Sequence, residues 1–427
     1  MNGDGEMQSR EDLNPTKGLN PTARDLRRIN RRTVVQALFT SEAASRFEVS
    51  QRSGLSAGTV TNVVSELLAE GIVLEDGFTV SEGGRRRAIL ALNLDYGYVL
   101  GGEIGETGVA VGLFDLRLHR LTTFRSPLSS EENNPTEVVN RLLEGVAFIL
   151  QKEQITPDKI LGMGLGLPGI VEHTEEELVS APAWGWEPVP LKEMLARHFP
   201  FPLHLDNGAK ATALAEFDRN PHFATEIVVS VYLGTGVGAG IIHEGKLYRG
   251  STNSAGEWGH TIIVVDGEAC RCGHLGCLEA YVGSLGIIRR LHELDATHPA
   301  LQMGDEIGSI QTLIHMASRD DMVANQVLDG TIRYLGAGLA NLINLCNPRR
   351  IILSGYVGLE LGQFALAEIR KATSQYALKL PCEVAEISLS QLGRDGDSIG
   401  MAKLVLEDFF DTVGGQKTHP SLHPSRL

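Results

Sequence analysis

Apolar positions recur at helical spacing from about residue 21, after a polar lead-in over residues 1–20 that is predicted to be disordered. The apolar face of the first predicted helix consists of Leu26, Ile29, Val34, Ala37 and Leu38. The same spacing assigns four arginines to the opposite, solvent-facing side, namely Arg27, Arg28, Arg31 and Arg32. The folded part of the chain is therefore predicted to begin with an amphipathic helix whose exposed face is basic.

Two shorter helices joined by a tight turn are predicted to follow. One begins near Arg46 and ends at Gly54, which suits a left-handed C-cap, and Ser56 is placed to cap the next helix. The buried face of that next helix is predicted to consist of Val60, Val63, Val64, Leu67 and Leu68. Two helices joined through a glycine turn have helix-turn-helix geometry.

The second short helix begins with small and hydrogen-bonding residues that can approach base edges in a major groove. After Gly71, two short apolar runs flank Asp76-Gly77, a dipeptide typical of hairpin turns, and predict a wing. Three arginines then suit DNA phosphates or a narrow minor groove. The predicted DNA contacts are Arg46, Ser56, Thr59, Thr61, Asn62, Arg85, Arg86 and Arg87. The alternative is an ordinary helical hairpin followed by a solvated arginine run.

From about Asp95, strand-turn-strand units alternate with helices, which predicts an α/β body. We therefore expect a winged helix-turn-helix domain over residues 21–92 and a second domain over residues 93–427. Within the second domain, four glycines lie between two apolar runs, namely Gly234, Gly236, Gly238 and Gly240. Such glycines let main-chain amides close on a phosphate, but they suit any tight hairpin and lack the spacing of a dinucleotide site.

Charge is distributed unevenly along the 427 residues. The net charge is -15, yet residues 1–90 contain 12 Lys and Arg against 12 Asp and Glu, so the negative excess lies entirely after residue 90. A neutral, arginine-rich end attached to an acidic body is compatible with one end that faces DNA. The polar start and the lack of an apolar run near 20 residues predict a cytoplasmic protein without membrane insertion.

Three of the five cysteines, Cys270, Cys272 and Cys277, lie within eight residues. His260 lies ten residues before the first of them. Three thiolates and one imidazole make a closed tetrahedral zinc site, a composition typical of a structural rather than a catalytic metal. The alternative is a group of free thiols with His274 as the neighbouring histidine.

Several segments between about residues 24 and 410 resemble the ROK family of repressors and sugar kinases. The most specific are LGTGVGAGI, GEWGH and CRCGHLGCLE, the last of which fits the family's zinc signature, and GLGLPGIV resembles its Pro-Gly loop near the sugar. NRRTVVQALF through EGGRRR resembles the DNA-binding head of the repressor branch, and LDNGAK is similar to a pattern of xylose-type repressors. The resemblance implies a two-lobed actin-like, sugar-kinase-like (ribonuclease H-like) body with a lobe boundary near residue 205 and a zinc loop over residues 260–279.

The resemblance also implies the residues of two sites. The implied zinc ligands are His260, Cys270, Cys272 and Cys277. The implied contacts with sugar hydroxyls are Asn207, Glu257, His260 and Glu279. Carboxylates and an amide beside a rigid metal loop can accept from and donate to neighbouring hydroxyls of a pyranose. The alternative for each carboxylate is a solvated surface group.

Three departures from the family pattern affect phosphoryl transfer. The family's kinases carry an Asn-Asp pair whose Asp is the general base, whereas here Asn207 is followed by Gly208, and the adjacent Asp206 is not expected to substitute. The first phosphate loop contains Glu106 where the family has a glycine, which brings negative charge toward ATP phosphates. Near the expected adenine loop, a serine and a tyrosine flank the single Gly355.

These features predict a sugar-responsive transcriptional regulator, a repressor without catalytic residues, that binds operator DNA, a sugar effector and structural zinc. A homodimer or homotetramer is expected, because two heads then match a pseudo-palindromic operator. The rival is an ATP-dependent sugar kinase with an accessory DNA-binding head, which Glu103, Thr107 and the intact second glycine loop favour. A third possibility is a regulator that binds no sugar, since Gly208 and Lys210 reshape the pocket floor.

Overall fold

A computed structural model describes residues 22–78, 87–106, 108–128, 132–172, 177–218 and 225–413. The chain divides into two compact units: the first combines Met1–Leu92 with Phe410–Leu427, and the second is Asn93–Phe409. The predicted disorder of residues 1–20 falls outside the described residues. Within the described ranges, no helix combines the length and the hydropathy that a bilayer-spanning segment needs.

The first unit contains three helices and a small antiparallel sheet. They are α1 (Ala23–Thr40), β1 (Ala44–Ser45), α2 (Arg46–Ser53), α3 (Ala57–Ala69), β2 (Val73–Phe78) and β3 (Ala88–Leu92), with the strand order β1-β3-β2. Gly54 ends α2 with a left-handed φ of 67°, and the Ser56 hydroxyl accepts a hydrogen bond from the Thr59 amide at the start of α3. Both helix boundaries at this corner are confirmed, and the order of elements is that of a winged helix-turn-helix.

The exposed face of α1 differs from its prediction at Arg31. The guanidinium of Arg31 is fully buried, with the Glu66 and Glu70 carboxylates of α3 at 2.8 and 2.5 Å. The carbonyl of Val413 accepts a further hydrogen bond from it at 3.0 Å. Two residues of the predicted apolar face are instead about half exposed, Leu26 and Ile29. Carboxylates on a neighbouring helix allow a guanidinium to be buried, and the spacing along α1 alone carries no information about those partners.

The wing differs from its prediction as well. Asp76 and Gly77 lie inside β2, where the pairing with β3 is irregular between Glu75 and Phe78, so they do not form the hairpin turn. Gly77 has a φ of 90°, a left-handed conformation that a bulge uses as readily as a turn does. The connection from β2 to β3 comes later in the chain, and residues 79–86 lie outside the described part.

The second unit is built on two five-stranded sheets. The first consists of β4 (Tyr98–Gly105), β5 (Gly108–Phe114), β6 (Arg120–Pro127), β7 (Ile160–Leu167) and β11 (Leu203–Asn207), in the order β11-β7-β4-β5-β6. The second consists of β12 (Val228–Leu233), β13 (Val237–His243), β14 (Lys246–Leu247), β15 (Arg350–Ser354) and β16 (Glu386–Leu389), in the order β14-β13-β12-β15-β16. In each sheet, three antiparallel strands are extended by two parallel ones. This repeated topology gives the two-lobed body that the resemblance implies.

Each lobe buries an apolar core against its sheet. The other elements up to residue 207 are α4 (Pro135–Glu153), β8 (Ile170–Val171), β9 (Val179–Ala181), β10 (Trp186–Val189) and α5 (Leu191–Ala196). The later helices are α6 (Gly208–Asp218), α7 (Glu279–Val282), α8 (Ser284–Leu294), α9 (Glu306–Ala317), α10 (Met322–Cys346), α11 (Gly355–Tyr376), α12 (Lys379–Val384) and α13 (Gly396–Thr412). The central strands β4, β7 and β12 are almost entirely buried, as expected of strands covered on both faces.

The helices α6 and α13 pack closely against each other between the two sheets. A Cβ atom on Gly400 of α13 would lie 1.8 Å from the Ala211 carbonyl oxygen of α6, so the contact requires a glycine. The outer face of α13 meets the first sheet at Gly164, where a Cβ atom would lie 2.4 Å from the Met401 carbonyl oxygen. This packing brings the first residues of α6 and α13 to the same place.

Candidate ligand cleft and metal centre

A cleft of about 560 Å³ lies between the two lobes of the second unit. Its lining comes from the ends of β4, β7, β11 and β15, the turn between β12 and β13, and the starts of α6 and α13. Ligands of open α/β sheets bind at the carboxyl ends of the parallel strands, and all four of these strand ends are of that kind. The cleft is therefore the candidate ligand site of this unit.

The four residues predicted to contact a sugar all line this cleft, namely Asn207, Glu257, His260 and Glu279. Asn207 donates from Nδ2 to the Gly169 carbonyl at 2.9 Å, and its Oδ1 accepts from the Ala209 amide at 2.9 Å. The buried Glu279 accepts from the Val237 amide at 3.0 Å. Main-chain partners thus hold both side chains in fixed positions. The role of the four residues in sugar binding stays a prediction.

Glu257 and Lys210 bring opposite charges to the floor of the cleft. Burial raises the pKa of Glu257, and the neighbouring His260 and Lys210 oppose that rise. Burial lowers the pKa of Lys210, against the effects of Asp206 and Glu257, and its ammonium donates to the Asn253 carbonyl. A carboxylate and an ammonium in one small space can respectively accept from and donate to hydroxyl groups.

His260, Cys270, Cys272 and Cys277 form a compact group whose ligand atoms all lie within 4.8 Å of one another. The Cys270 sulfur is 3.7 Å from His260 Nδ1, and the Cys272 and Cys277 sulfurs are also 3.7 Å apart. Donors around a tetrahedral zinc lie roughly 3.4–3.8 Å from each other, given its bond lengths. The cluster that the sequence predicts is thus assembled in a geometry that can hold a metal.

A tight reversal brings the last cysteine back to the others. Gly276 has a φ of 78°, and a Cβ atom there would lie 1.7 Å from the Val264 carbonyl oxygen. The next residue, Cys277, pairs with Ile262 as an isolated antiparallel bridge. Glu279 begins α7 two residues later and lines the cleft. The loop from His260 to Glu279 therefore contributes both to the candidate metal cluster and to the lining of the cleft.

The ROK family profile matches residues 99–408. The chain belongs to the ROK family. It is 30% identical over 389 residues to a xylose repressor from Caldicellulosiruptor bescii, an alignment that covers 90% of this chain and 96% of that protein. The likeness to a repressor therefore extends over nearly the full length of both chains.

Two solved ROK structures are similar to different shares of the chain. One is described as a ROK family transcriptional regulator, a homologue of the E. coli MLC protein, with a TM-score of 0.75 and 24% identity over 91% of this chain and 98% of that chain. The other is a ROK family glucokinase from Streptomyces griseus in complex with glucose and AMPPNP, with a TM-score of 0.63 and 29% identity over 72% of this chain and 99% of that chain. The regulator matches more of this chain than the kinase does.

The position at which ROK kinases are expected to carry a general base is occupied by Gly208, the first residue of α6. The neighbouring Asp206 carboxylate is engaged elsewhere: Oδ2 accepts from Arg249 at 2.6 Å and Oδ1 accepts from the Asn207 amide. Asp206 is almost fully buried at the end of β11. This arrangement agrees with the expectation that Asp206 does not replace the missing side chain.

Arg271, which no sequence pattern indicated, lies between two of the cysteines and neutralises Glu106. Both Glu106 carboxylate oxygens are 2.7 Å from Arg271 Nη1, and Glu279 Oε1 is 3.7 Å from Nη2. Burial raises the pKa of Glu106, and Arg271 opposes that rise. The ion pair joins the turn after β4 in one lobe to the loop between His260 and Glu279 (the metal loop) in the other lobe, so it spans the cleft.

A second carboxylate lies on the same side of the cleft. Glu306 Oε2 accepts from the hydroxyl groups of Thr235 at 2.8 Å and Tyr356 at 3.0 Å, and it also accepts from Ser284. Gly355 precedes Tyr356 with a φ of 75°, and a Cβ atom there would lie 2.3 Å from the main chain of β12. In ROK kinases this is the expected nucleotide side, where two carboxylates would repel phosphate groups.

The residues predicted to contact DNA lie at the corner and on the exposed side of the first unit. Ser56, Thr61 and Asn62 are exposed at the start of α3, and Thr59 is partly exposed. Arg46 forms an ion pair with Glu75 at 3.1 Å, which reduces the positive charge that it offers to phosphate. The guanidinium of Arg87 lies 4.7 Å above the ring of Phe47. Two of the predicted arginines, Arg85 and Arg86, lie outside the described residues.

Proposed function

We propose that this ROK protein is a sugar-responsive transcriptional repressor whose first unit binds operator DNA and whose second unit binds a carbohydrate without phosphorylating it. One observation carries the proposal: the chain joins a winged helix-turn-helix to a sugar-kinase-like cleft in which the expected base position is Gly208. A glycine has no group that can take a proton, and loss of a general base typically costs about 10² to 10⁴ in rate. The full-length likeness to a xylose repressor supports the same conclusion.

The cleft is proposed to bind sugar hydroxyls through Asn207, Glu257, His260 and Glu279. Their polar atoms converge on a space of about 560 Å³, which suits a monosaccharide. Glu279 keeps one carboxylate oxygen on the Val237 amide, and this contact orients the other oxygen. Fixed acceptors of this kind distinguish sugars by the positions of their hydroxyl groups.

The cysteine and histidine cluster is proposed to hold a structural zinc ion. Its three thiols and one imidazole complete a tetrahedron and leave no position for a substrate. When bound, the zinc would fix the loop between His260 and Glu279 and thereby the orientation of these two sugar-contacting side chains.

Loss of kinase activity is proposed on two grounds besides Gly208. Glu106 places a carboxylate on the expected nucleotide side of the cleft, with Glu306 bonded to the lining residues Thr235 and Tyr356, and the nearby cation, Arg271, is already paired with Glu106. A nucleotide would have to displace this ion pair to reach the metal loop. A repressor that binds only the sugar can keep this ion pair intact.

The first unit is proposed to place the start of α3 in the major groove of operator DNA. Two copies of the unit, in a homodimer or homotetramer, would contact the two halves of a pseudo-palindromic site. Binding of the sugar is proposed to favour a state with lower operator affinity, which requires that the effector bind the two states with different free energies.

A gel-shift experiment tests the proposal with an operator selected from a random duplex library by the full-length protein. We expect one of D-xylose, D-glucose and N-acetyl-D-glucosamine to release the bound DNA. The double variant Thr61→Ala/Asn62→Ala should lose about tenfold or more in operator affinity, because it removes side chains placed to contact base edges. Ser65→Ala, an exposed change farther along α3, is the matched control and should bind normally.

Two results would contradict the proposal. One is the absence of any enriched duplex with or without sugar. The other is ADP release with one of these sugars at ordinary kinase rates, about 1–100 s⁻¹, which would make the protein a sugar kinase with an accessory head.

A further inference from the structure

Asp397 lies beside Gly208 at the floor of the cleft. It is the second residue of α13, and its side chain is 7% exposed. A Cβ atom on Gly208 would lie 2.6 Å from Oδ2 and 3.2 Å from the carboxyl carbon of Asp397. The Asp397 carboxylate therefore fills the space in which a side chain at position 208 would begin.

The surroundings hold this carboxylate in place. The hydroxyl of Thr212, one helical turn after Gly208 on α6, donates to Asp397 Oδ1. A Cβ atom on Gly166 of β7 would lie 3.3 Å from the Gly208 Cα atom and 3.6 Å from the Asp397 Cβ atom, so β7 packs against both residues. On this face of α6, Gly208 leaves room for a carboxylate and Thr212, one turn later, offers a hydroxyl that donates a hydrogen bond to it. Such a face suits a carboxylate from another helix.

We infer that Asp397 supplies the carboxylate of the cleft floor that Gly208 lacks, and that it accepts a hydrogen bond from a hydroxyl group of the bound carbohydrate. The inference rests on the proposed function, because it concerns the same sugar cleft. Asp397 lines that cleft together with Asn207 and Glu103, so a sugar held by Asn207 lies within reach of it. Its role is recognition, since the Glu106 carboxylate lies on the side from which a phosphate donor would approach.

The protonation of Asp397 distinguishes recognition from a purely structural role. Burial raises the pKa of Asp397 to about 7, and the Thr212 hydrogen bond opposes that rise. Among the described residues, Tyr232 of β12 is an ionisable group close enough for Asp397 to raise its pKa, Glu103 of β4 lines the same cleft, and on α6 the Lys210 ammonium is directed to Asn253. A hydroxyl donor favours the ionised carboxylate, so sugar binding should release part of a proton near pH 7 and strengthen between pH 6 and pH 8.

Isothermal titration of the full-length protein tests this inference, with D-xylose, D-glucose and N-acetyl-D-glucosamine as probes in buffers of different ionisation enthalpy. For the sugar that binds, Asp397→Asn should weaken binding about tenfold or more and abolish the proton release, because a hydrogen bond to a charged acceptor is lost. Asp115→Asn is the matched control: Asp115 is an equally buried carboxylate of the β5–β6 turn that bonds local amides, outside the cleft lining. This control should keep both affinity and proton release.

A second test moves the carboxylate from position 397 to position 208, so that the conclusion does not depend on whether a single variant folds. Gly208→Asp alone should lose sugar binding, because its side chain meets the Asp397 carboxylate, whereas Gly208→Asp/Asp397→Gly should recover most of the affinity.

Unchanged affinity and proton release in Asp397→Asn would overturn the inference and leave the proposed function intact. If none of the three sugars bound the wild-type protein, the inference and the sugar response would both be overturned. If the wild-type protein phosphorylated a sugar and Asp397→Asn did not, Asp397 would be a general base. That result would overturn both the inference and the proposed function.

Discussion

Cys272→Ser is expected to release the bound metal and abolish the sugar response, while operator binding stays close to that of the wild type. The substitution leaves three of the four ligands, and a structural zinc site contributes apparent binding free energies on the order of 10 kcal/mol. Without the metal, the loop that carries His260 and Glu279 loses the cross-link that holds both against the cleft. The first unit has its own core, so its DNA contacts do not depend on this loop.

Metal analysis, sugar titration and gel shifts of the same preparations measure these three effects. Cys346→Ser is the matched control, because Cys346 is a partly buried cysteine at the end of α10, outside the cluster. It should keep the metal, the sugar affinity and the response. Wild-type protein free of metal after purification without chelators would contradict the prediction, as would a Cys272→Ser variant that still releases its operator on addition of sugar.

Arg271→Ala is expected to lower the free energy of unfolding of the second unit by about 2–3 kcal/mol, less than the 3–5 kcal/mol typical of a fully buried pair because both partners are about one quarter exposed. The change leaves Glu106 without its cation in a partly buried position and removes the ion pair across the cleft. We also expect weaker sugar binding, since the two sides of the cleft lose the ion pair that joins them.

A double-mutant cycle measures the interaction energy between Glu106 and Arg271 directly. Glu106→Gln should cost less than Arg271→Ala, and the double variant should be more stable than the sum of the two losses predicts, because neither charge of the Glu106–Arg271 pair is then left without its partner. Arg289→Ala is the control, since the pair of Arg289 with Glu268, 2.7 Å apart, is more exposed and should contribute little. Additive losses in the cycle, from thermal or urea unfolding, would show that Glu106 and Arg271 act independently.

The carboxylates of the cleft form a consistent pattern. In a kinase, the phosphate side of such a cleft must attract negative charge, whereas here Glu106 lines that side and is paired with Arg271, and Glu306 accepts hydrogen bonds from two other lining residues, Thr235 and Tyr356. On the other side of the cleft, the Asp397 carboxylate of α13 lies against Gly208 of α6. Under the proposed function, these carboxylates keep the cleft polar for hydroxyl groups and do not favour a bound nucleotide.

Features that depend on neighbouring residues were predictable from the sequence. The corner of the helix-turn-helix depends on Gly54 and Ser56, whose backbone and side-chain preferences act within one turn of the chain. The metal cluster spans residues 260–277, and its ligand spacing is itself the evidence. The four implied sugar contacts came from family resemblance, and the cleft brings them together.

The failures have a common physical origin in contacts between distant segments. Asp76-Gly77 has turn-forming chemistry, but pairing with β3 extends the strand through it as a bulge. Arg31 follows the exposed spacing of its helix, yet the carboxylates of α3 allow it to be buried.

Local elements were predictable from the amino-acid sequence alone: the capped helices of the first unit, the glycine reversals and the set of candidate metal ligands each depend on residues close together in the chain. Which charged groups meet became evident from the packing of distant segments. Arg271 and Glu106 are 165 positions apart, and Thr212 and Asp397 are 185 apart. Such pairs depend on how sheets and helices pack, since burial makes an unpartnered charge costly and the fold alone determines which partner is within reach.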